Sequence, residues 1–168
     1  MSGLDFFSPD GSDAGVVLVS PLARIDGGST VTDVSSLGKL EVRGDIGALE
    51  TVSGEHVVPL GPNRALLVVH GSPAAARVRL RASGYRVYDM TAALAAFEIE
   101  GEDLLRRLTE LDLRELPAVG SIARGTTAVI ERISDIQDRG ERFRLYVPQE
   151  LGHFAAEVAI DMAKGLAQ

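Results

Sequence analysis

The sequence predicts an α+β fold, built as two similar halves whose antiparallel sheets carry helices on one face. Three observations lead there. The stretch Gly84–Glu102 reads as two strands in quick succession, Tyr85–Asp89 and Leu94–Glu100, set between helix-like segments. Its core, Val87-x-Asp89-Met90-Thr91 and then an apolar strand ending Glu100-Gly101-Glu102, is echoed earlier by Val31-x-Asp33-Val34-Ser35 and Leu40–Asp45. Asp33 and Asp89 stand 56 positions apart and Gly44 and Gly101 stand 57 apart, so the echo takes one inserted residue. Finally, the same succession of periodicities, strand–helix–strand–strand–helix, can be read on either side of Tyr85–Asp89.

The elements follow in order. Residues 1–15 are rich in Gly, Ser, Asp and Pro and are expected to form a flexible N-terminal arm, with residues 16–168 forming a single domain. The pseudo-repeat halves span about 31–84 and 87–168. Phe6-Phe7 is an aromatic pair in that polar arm, suited to pack on the chain's own surface or to enter a partner. Val16–Val19 is a short apolar run stopped by Ser20-Pro21, and Gly27–Thr30 is a loop. In Gly38–Arg43, Leu40 and Val42 alternate with Lys39, Glu41 and Arg43, the period of a half-buried strand. Asp45 is placed to cap a short helix through about Val52, with Gly54 ending it. Val57-Val58 begins a strand that Pro59 interrupts, Leu60–Arg64 turns, and Ala65–Val69 returns. Ser72-Pro73 opens a helix that stops at Gly84. Of the arginines at 77, 79, 81 and 86, Arg77 and Arg81 share one helical face while Arg79 lies elsewhere, a solvated face and not a phosphate clamp.

In the second half Glu102 or Asp103 caps a helix through about Glu110, with Leu104, Leu105, Leu108 and Leu111 as its apolar stripe. Asp112–Pro117 is a tight connector closed by Gly120, Thr126–Ile133 is a β-branched strand, and Asp138-Arg139-Gly140 turns the chain. Phe143, Leu145 and Val147 alternate with Arg144 and Tyr146, and Pro148 leads into a last helix, Gln149–Lys164, stopped by Gly165. Two such units most simply build a ferredoxin-like plan.

Composition excludes several function classes. The formal net charge of the 168 residues is −7, so a polyanion such as DNA is not an expected partner. There is no cysteine, which removes disulfides, thiolate catalysis and cysteine-ligated zinc or iron–sulfur sites. His56, His70 and His153 never take the spacing of a helical metal pair. The opening residues carry acids where a secretory signal has lysine or arginine. The longest strictly apolar run, Ala92–Phe97, is far short of the roughly 20 residues that cross a bilayer. A soluble, cytoplasmic chain is the expectation.

Motifs of catalysis are scarce. No dinucleotide fingerprint, phosphate loop, nucleophile elbow or zinc-protease signature is present. Ser36-Leu-Gly-Lys39 matches S-x-x-K, but its lysine opens a strand and its serine heads no helix. Gly44-Asp45-Ile46-Gly47 matches the clamp loop of KH domains, with an acid where a phosphate would have to sit. Asp33 and Asp89, each two residues before a hydroxyl (Ser35, Thr91), are candidates for acid–base work or, more simply, for tying a turn to the backbone. Glu131, Asp135 and Asp138 read as the solvated side of a hairpin. No catalytic, cofactor-binding or metal-ligating residue is assigned.

One resemblance runs through the chain. Ser20-Pro21-Leu22-Ala23, Leu40–Asp45, Pro59–Leu67, Val87-x-Asp89-Met90-Thr91, Leu111-Asp112-Leu113 and Phe143–Val147 before a final helix recur, in this order, in the gamma subunit of heterotetrameric sarcosine oxidase. The sequence resembles that family over roughly residues 20–168. It departs in a short segment between Gly44 and Pro59, and in Leu108-Thr109 where the family has a small residue and a cysteine. These departures leave open whether sarcosine or a related N-methylamine or betaine is consumed.

The resemblance implies a structural, non-catalytic chain in an oxidoreductase assembled with alpha, beta and delta subunits. The complex demethylates sarcosine oxidatively to glycine, hydrogen peroxide and 5,10-methylenetetrahydrofolate. FAD, FMN, NAD, tetrahydrofolate and zinc then belong to the other subunits, and none to this chain. The fold family is similar as well to the folate-binding domain of the glycine-cleavage T-protein. That enzyme's aspartate corresponds to a place near Arg132, beside Glu131, and an arginine cannot act as a carboxylate. A folate-dependent one-carbon transferase and a ferredoxin-like ligand-sensing module are the alternatives.

Overall fold

A computed structural model describes residues 19–26, 30–133 and 141–166. The strands are β1 (Val31–Asp33), β2 (Gly38–Arg43), β3 (Glu55–Gly61), β4 (Arg64–Val69), β5 (Arg86–Asp89), β6 (Leu94–Glu100), β7 (Ala118–Ile122), β8 (Thr126–Ile133) and β9 (Arg142–Pro148). The helices are α1 (Ala74–Ala82), α2 (Glu102–Leu108) and α3 (Gln149–Lys164). All pairings are antiparallel, in one sheet of order β1-β6-β9-β8-β7 and another of order β3-β4-β2-β5. The α+β class read from the sequence is the observed one.

Strand alternation builds four layers. Leu40, Val42, Leu67, Val69 and Val87 face α1 through Ala76 and Leu80. Phe97, Ile99, Ile130, Phe143, Leu145 and Val147 face α2 and α3. The opposite faces meet each other: Val58, Leu66 and Val68 of one sheet pack with Ala96 and Tyr146 of the other, and with Leu37. Consequently β2 and β9 are buried on both sides, and the reading of Gly38–Arg43 as a half-buried strand is corrected. Glu131 is corrected for the same reason, since it is 8% exposed between the sheets and not on a solvated hairpin face.

Other departures are local. The helix expected through Val52 is one 3₁₀ turn, Ile46–Ala48, capped by Asp45, which accepts from the Gly47 N–H at 3.1 Å. Pro59 does not interrupt β3, because β3 is an edge strand, where proline is tolerated, and the register shifts just beyond it. Gly120 does not close a connector but lies within β7, beside Leu111, whose side chain would stand 2.4 Å from an added Cβ. Neither β1 nor β7 carries enough alternation to be read in advance. The arm 1–15, Phe6-Phe7, Asp135, Asp138 and the turn at 138–140 lie outside the described residues.

The two corners exchange strands. β1 leaves its own half to pair with β6, and β5 pairs with β2. Asp33 Oδ1 accepts from the Ser35 N–H at 2.9 Å, and Asp89 Oδ1 accepts from the Thr91 N–H at 3.0 Å. The Ser35 hydroxyl then accepts from the Ala96 N–H at 3.0 Å, while that of Thr91 accepts from the Lys39 N–H at 3.1 Å. Val34 N–H donates to Ala96 O and Met90 N–H to Lys39 O, at 3.0 and 2.8 Å. The echo in the sequence is therefore a reciprocal pair of corners, each locked onto the other's following strand.

Candidate functional site

The corners place Lys39 and Ala96 in matching positions, with different chemistry. Lys39 is wholly buried, and its ammonium donates to Ser35 O at 2.8 Å and Leu37 O at 2.9 Å. Burial pushes its pKa down from 10.5 to about 8, against the pull of the Asp33 and Asp89 carboxylates. The serine of the S-x-x-K pattern, Ser36, is not the group Lys39 bonds, so the pair does not form a nucleophile and its base. Asp89 lies 3.6 Å from the Arg77 guanidinium through Oδ2, which makes no hydrogen bond. The backbone-tying role of Asp33 and Asp89 is the one the geometry displays.

A second polar cluster spans the sheet–sheet interface. Arg144 donates to Glu98 Oε1 from Nε at 3.0 Å and Nη2 at 2.7 Å, and to Glu131 Oε1 at 3.2 Å. Glu131 Oε1 also accepts from the Tyr146 hydroxyl at 2.6 Å. His56, reaching from β3 in the other sheet, places Nε2 at 3.1 Å from the same oxygen. The same ring nitrogen stands 3.4 Å from Arg144 Nη1. Arg142 pairs with Glu98 from the partly exposed side.

Burial pushes the Glu131 carboxyl up, yet the bonds from His56 and Tyr146 outweigh it and hold the group below its ordinary range. Burial, reinforced by the Glu131 charge, pushes the Tyr146 hydroxyl upward. A carboxylate held charged by several donors, facing a phenol held neutral, is a structural joint. The donors from His56, Arg144 and Tyr146 all converge on the one oxygen, Oε1 of Glu131. The sequence reading missed this joint because Glu98, Glu131, Arg144 and Tyr146 lie on three strands. The available signal was that all four alternate with core residues, in strands whose other face is apolar.

Arg132, at the place of the T-protein carboxylate, stacks over Phe143 at 5.0 Å and pairs with Glu141. Among the described residues no cluster of His, Asp and Glu could hold a metal ion, and no helix is long and apolar enough to cross a membrane. The surface carries a cleft of about 460 Å³ beside Arg107 and Arg124 and a groove of about 410 Å³ along Val19–Pro21, Ser35, Thr91 and Leu94.

No protein-family model and no curated protein matches this sequence. Among solved structures the chain resembles one in the heterotetrameric sarcosine oxidase from Corynebacterium sp. U-96, in complex with pyrrole 2-carboxylate, with a TM-score of 0.70. What the two share is the fold. The likeness covers 90% of this chain and 97% of that one, at 17% sequence identity.

Proposed function

We propose that this chain is a non-catalytic structural subunit of a hetero-oligomeric oxidoreductase of the sarcosine oxidase kind, filling the place of the gamma subunit. The observation that carries the reading is the end-to-end likeness, 97% of the solved chain, to a component of a heterotetrameric enzyme. The interior supports it: Lys39, Glu98, Glu131, Arg144 and Tyr146 are spent on one another and on main-chain carbonyls. In this reading FAD, FMN, NAD, tetrahydrofolate and zinc are held by the other subunits, and the complex takes the methyl group from sarcosine or a related N-methylamine.

The test is co-purification. A tagged copy expressed in its own host is expected to bring down flavin-containing chains and to show sarcosine-dependent hydrogen peroxide formation, while the chain expressed alone is colourless and inert. Turnover by the isolated chain, or saturable tetrahydrofolate binding to it, would overturn the proposal in favour of a transferase.

A further inference from the structure

We propose that the cleft between the C-terminal end of α2 and the β7–β8 loop is a docking site for an acidic segment of a partner protein. The inference deepens the subunit reading and rests on it for the partner being a protein. The cleft, about 460 Å³, is walled by Arg106, Arg107, Thr109, Glu110, Ser121 and Arg124. Several arginines elsewhere are engaged within the chain, Arg79 with Glu55, Arg114 with Asp112, Arg144 with Glu98 and Glu131, whereas Arg24 and Arg86 stand singly in other parts of the fold. Arg106 pairs with Glu102 one helical turn back. Arg107 and Arg124, both exposed, form no hydrogen bond or ion pair with the described residues. On a chain of net charge −7, two uncommitted guanidinium groups from separate elements make a local reversal of sign, with Glu110 the one acid in the wall.

Offsetting the dipole at the end of α2 would account for Arg106 and Arg107. It does not account for Arg124, which comes from the hairpin. That residue is presented by an unfavourable backbone: Ala123 has φ 43° and Arg124 φ 65°, in the left-handed region that glycine or asparagine would occupy more easily. The loop is held there. Ala123 is buried and donates its N–H to Leu108 O at 3.1 Å, and the Thr109 hydroxyl donates to Ser121 O at 2.8 Å. The wall is thus preformed, and what it exposes is polar. Guanidinium groups grip carboxylates through paired N–H donors, and arginine is enriched where proteins meet. The two long, exposed side chains supply no buried polar contact that would fix a small anion, which favours a segment carrying several carboxylates.

The probe is fluorescein-labelled hexaglutamate, titrated into the full-length chain and followed by anisotropy at low salt and at about 0.3 M salt. Saturable binding weakened by salt is expected, and the Arg107→Ala/Arg124→Ala double variant is expected to weaken it about ten-fold or more. Arg86→Ala, an exposed arginine on the other sheet, should leave it unchanged. Single Arg107→Glu and Arg124→Glu variants, checked by circular dichroism, guard against a folding artefact and should each weaken binding. Absence of saturable binding, an equal loss in Arg86→Ala, or displacement by inorganic phosphate as effective as by unlabelled hexaglutamate would overturn the proposal. So would a double variant that co-purifies with its partners undiminished, and that outcome leaves the subunit reading standing.

Discussion

Lys39 makes the stability of this chain depend on pH in a direction opposite to that of a lysine whose pKa is raised by an acidic partner. The folded chain holds its pKa at about 8, against 10.5 for an ordinary lysine, chiefly because the ammonium is desolvated, with Asp33 and Asp89 opposing that effect. Below pH 8 the lysine is protonated in both folded and unfolded chains, and the penalty of burying a charge is felt in full. Between pH 8 and 10.5 the unfolded chain keeps the proton while the folded chain sheds it, so the unfolded state binds more protons and stability rises with pH. At about 1.4 kcal/mol for each pH unit, the interval is worth about 3 kcal/mol.

The Lys39→Met variant removes the titration but also strips Ser35 O and Leu37 O of their donor. Its stability at any one pH therefore mixes two effects of similar size. The difference between wild type and variant, followed by urea unfolding from pH 7 to 10.5, isolates the proton-linked part and cancels the other titrating groups. Wild type should gain about 3 kcal/mol on the variant across that range. A difference that stays flat, or falls as pH rises, would refute the reasoning.

Three further outcomes follow from the packing. Gly152→Ala puts a Cβ 2.6 Å from Ala95 Cβ, where α3 crosses β6, so it should destabilise by about 1–3 kcal/mol despite alanine's better helix propensity; a raised Tm would contradict this. Arg144→Met leaves the Glu131 carboxylate with His56 and Tyr146 alone and strips Glu98 of its buried donor, and denaturant unfolding should register a loss of about 3–5 kcal/mol. Thr91→Val deletes the acceptor for the Lys39 N–H at the second corner, and should cost about 1–2 kcal/mol with the fold retained by circular dichroism.

The sequence alone determined the order of the longer elements, though not β1 and β7. Leu94–Glu100 and Gln149–Lys164 fall within the bounds read for them, because alternation and proline–glycine punctuation are local properties of the chain. It determined the two corners as well, since an aspartate two residues before a hydroxyl bonds to its own backbone whatever surrounds it. Only the tertiary structure decided what the second face of each sheet meets. Lys39, Glu41, Glu98, Glu131 and Arg144 occupy the polar phase of amphipathic strands, which in isolation reads as the phase exposed to water. When two sheets stack, that phase becomes interior, and its charges persist by pairing across strands remote in sequence. Local pattern can mark a residue as polar, but whether its partner is water or another side chain depends on which distant strand folds over it.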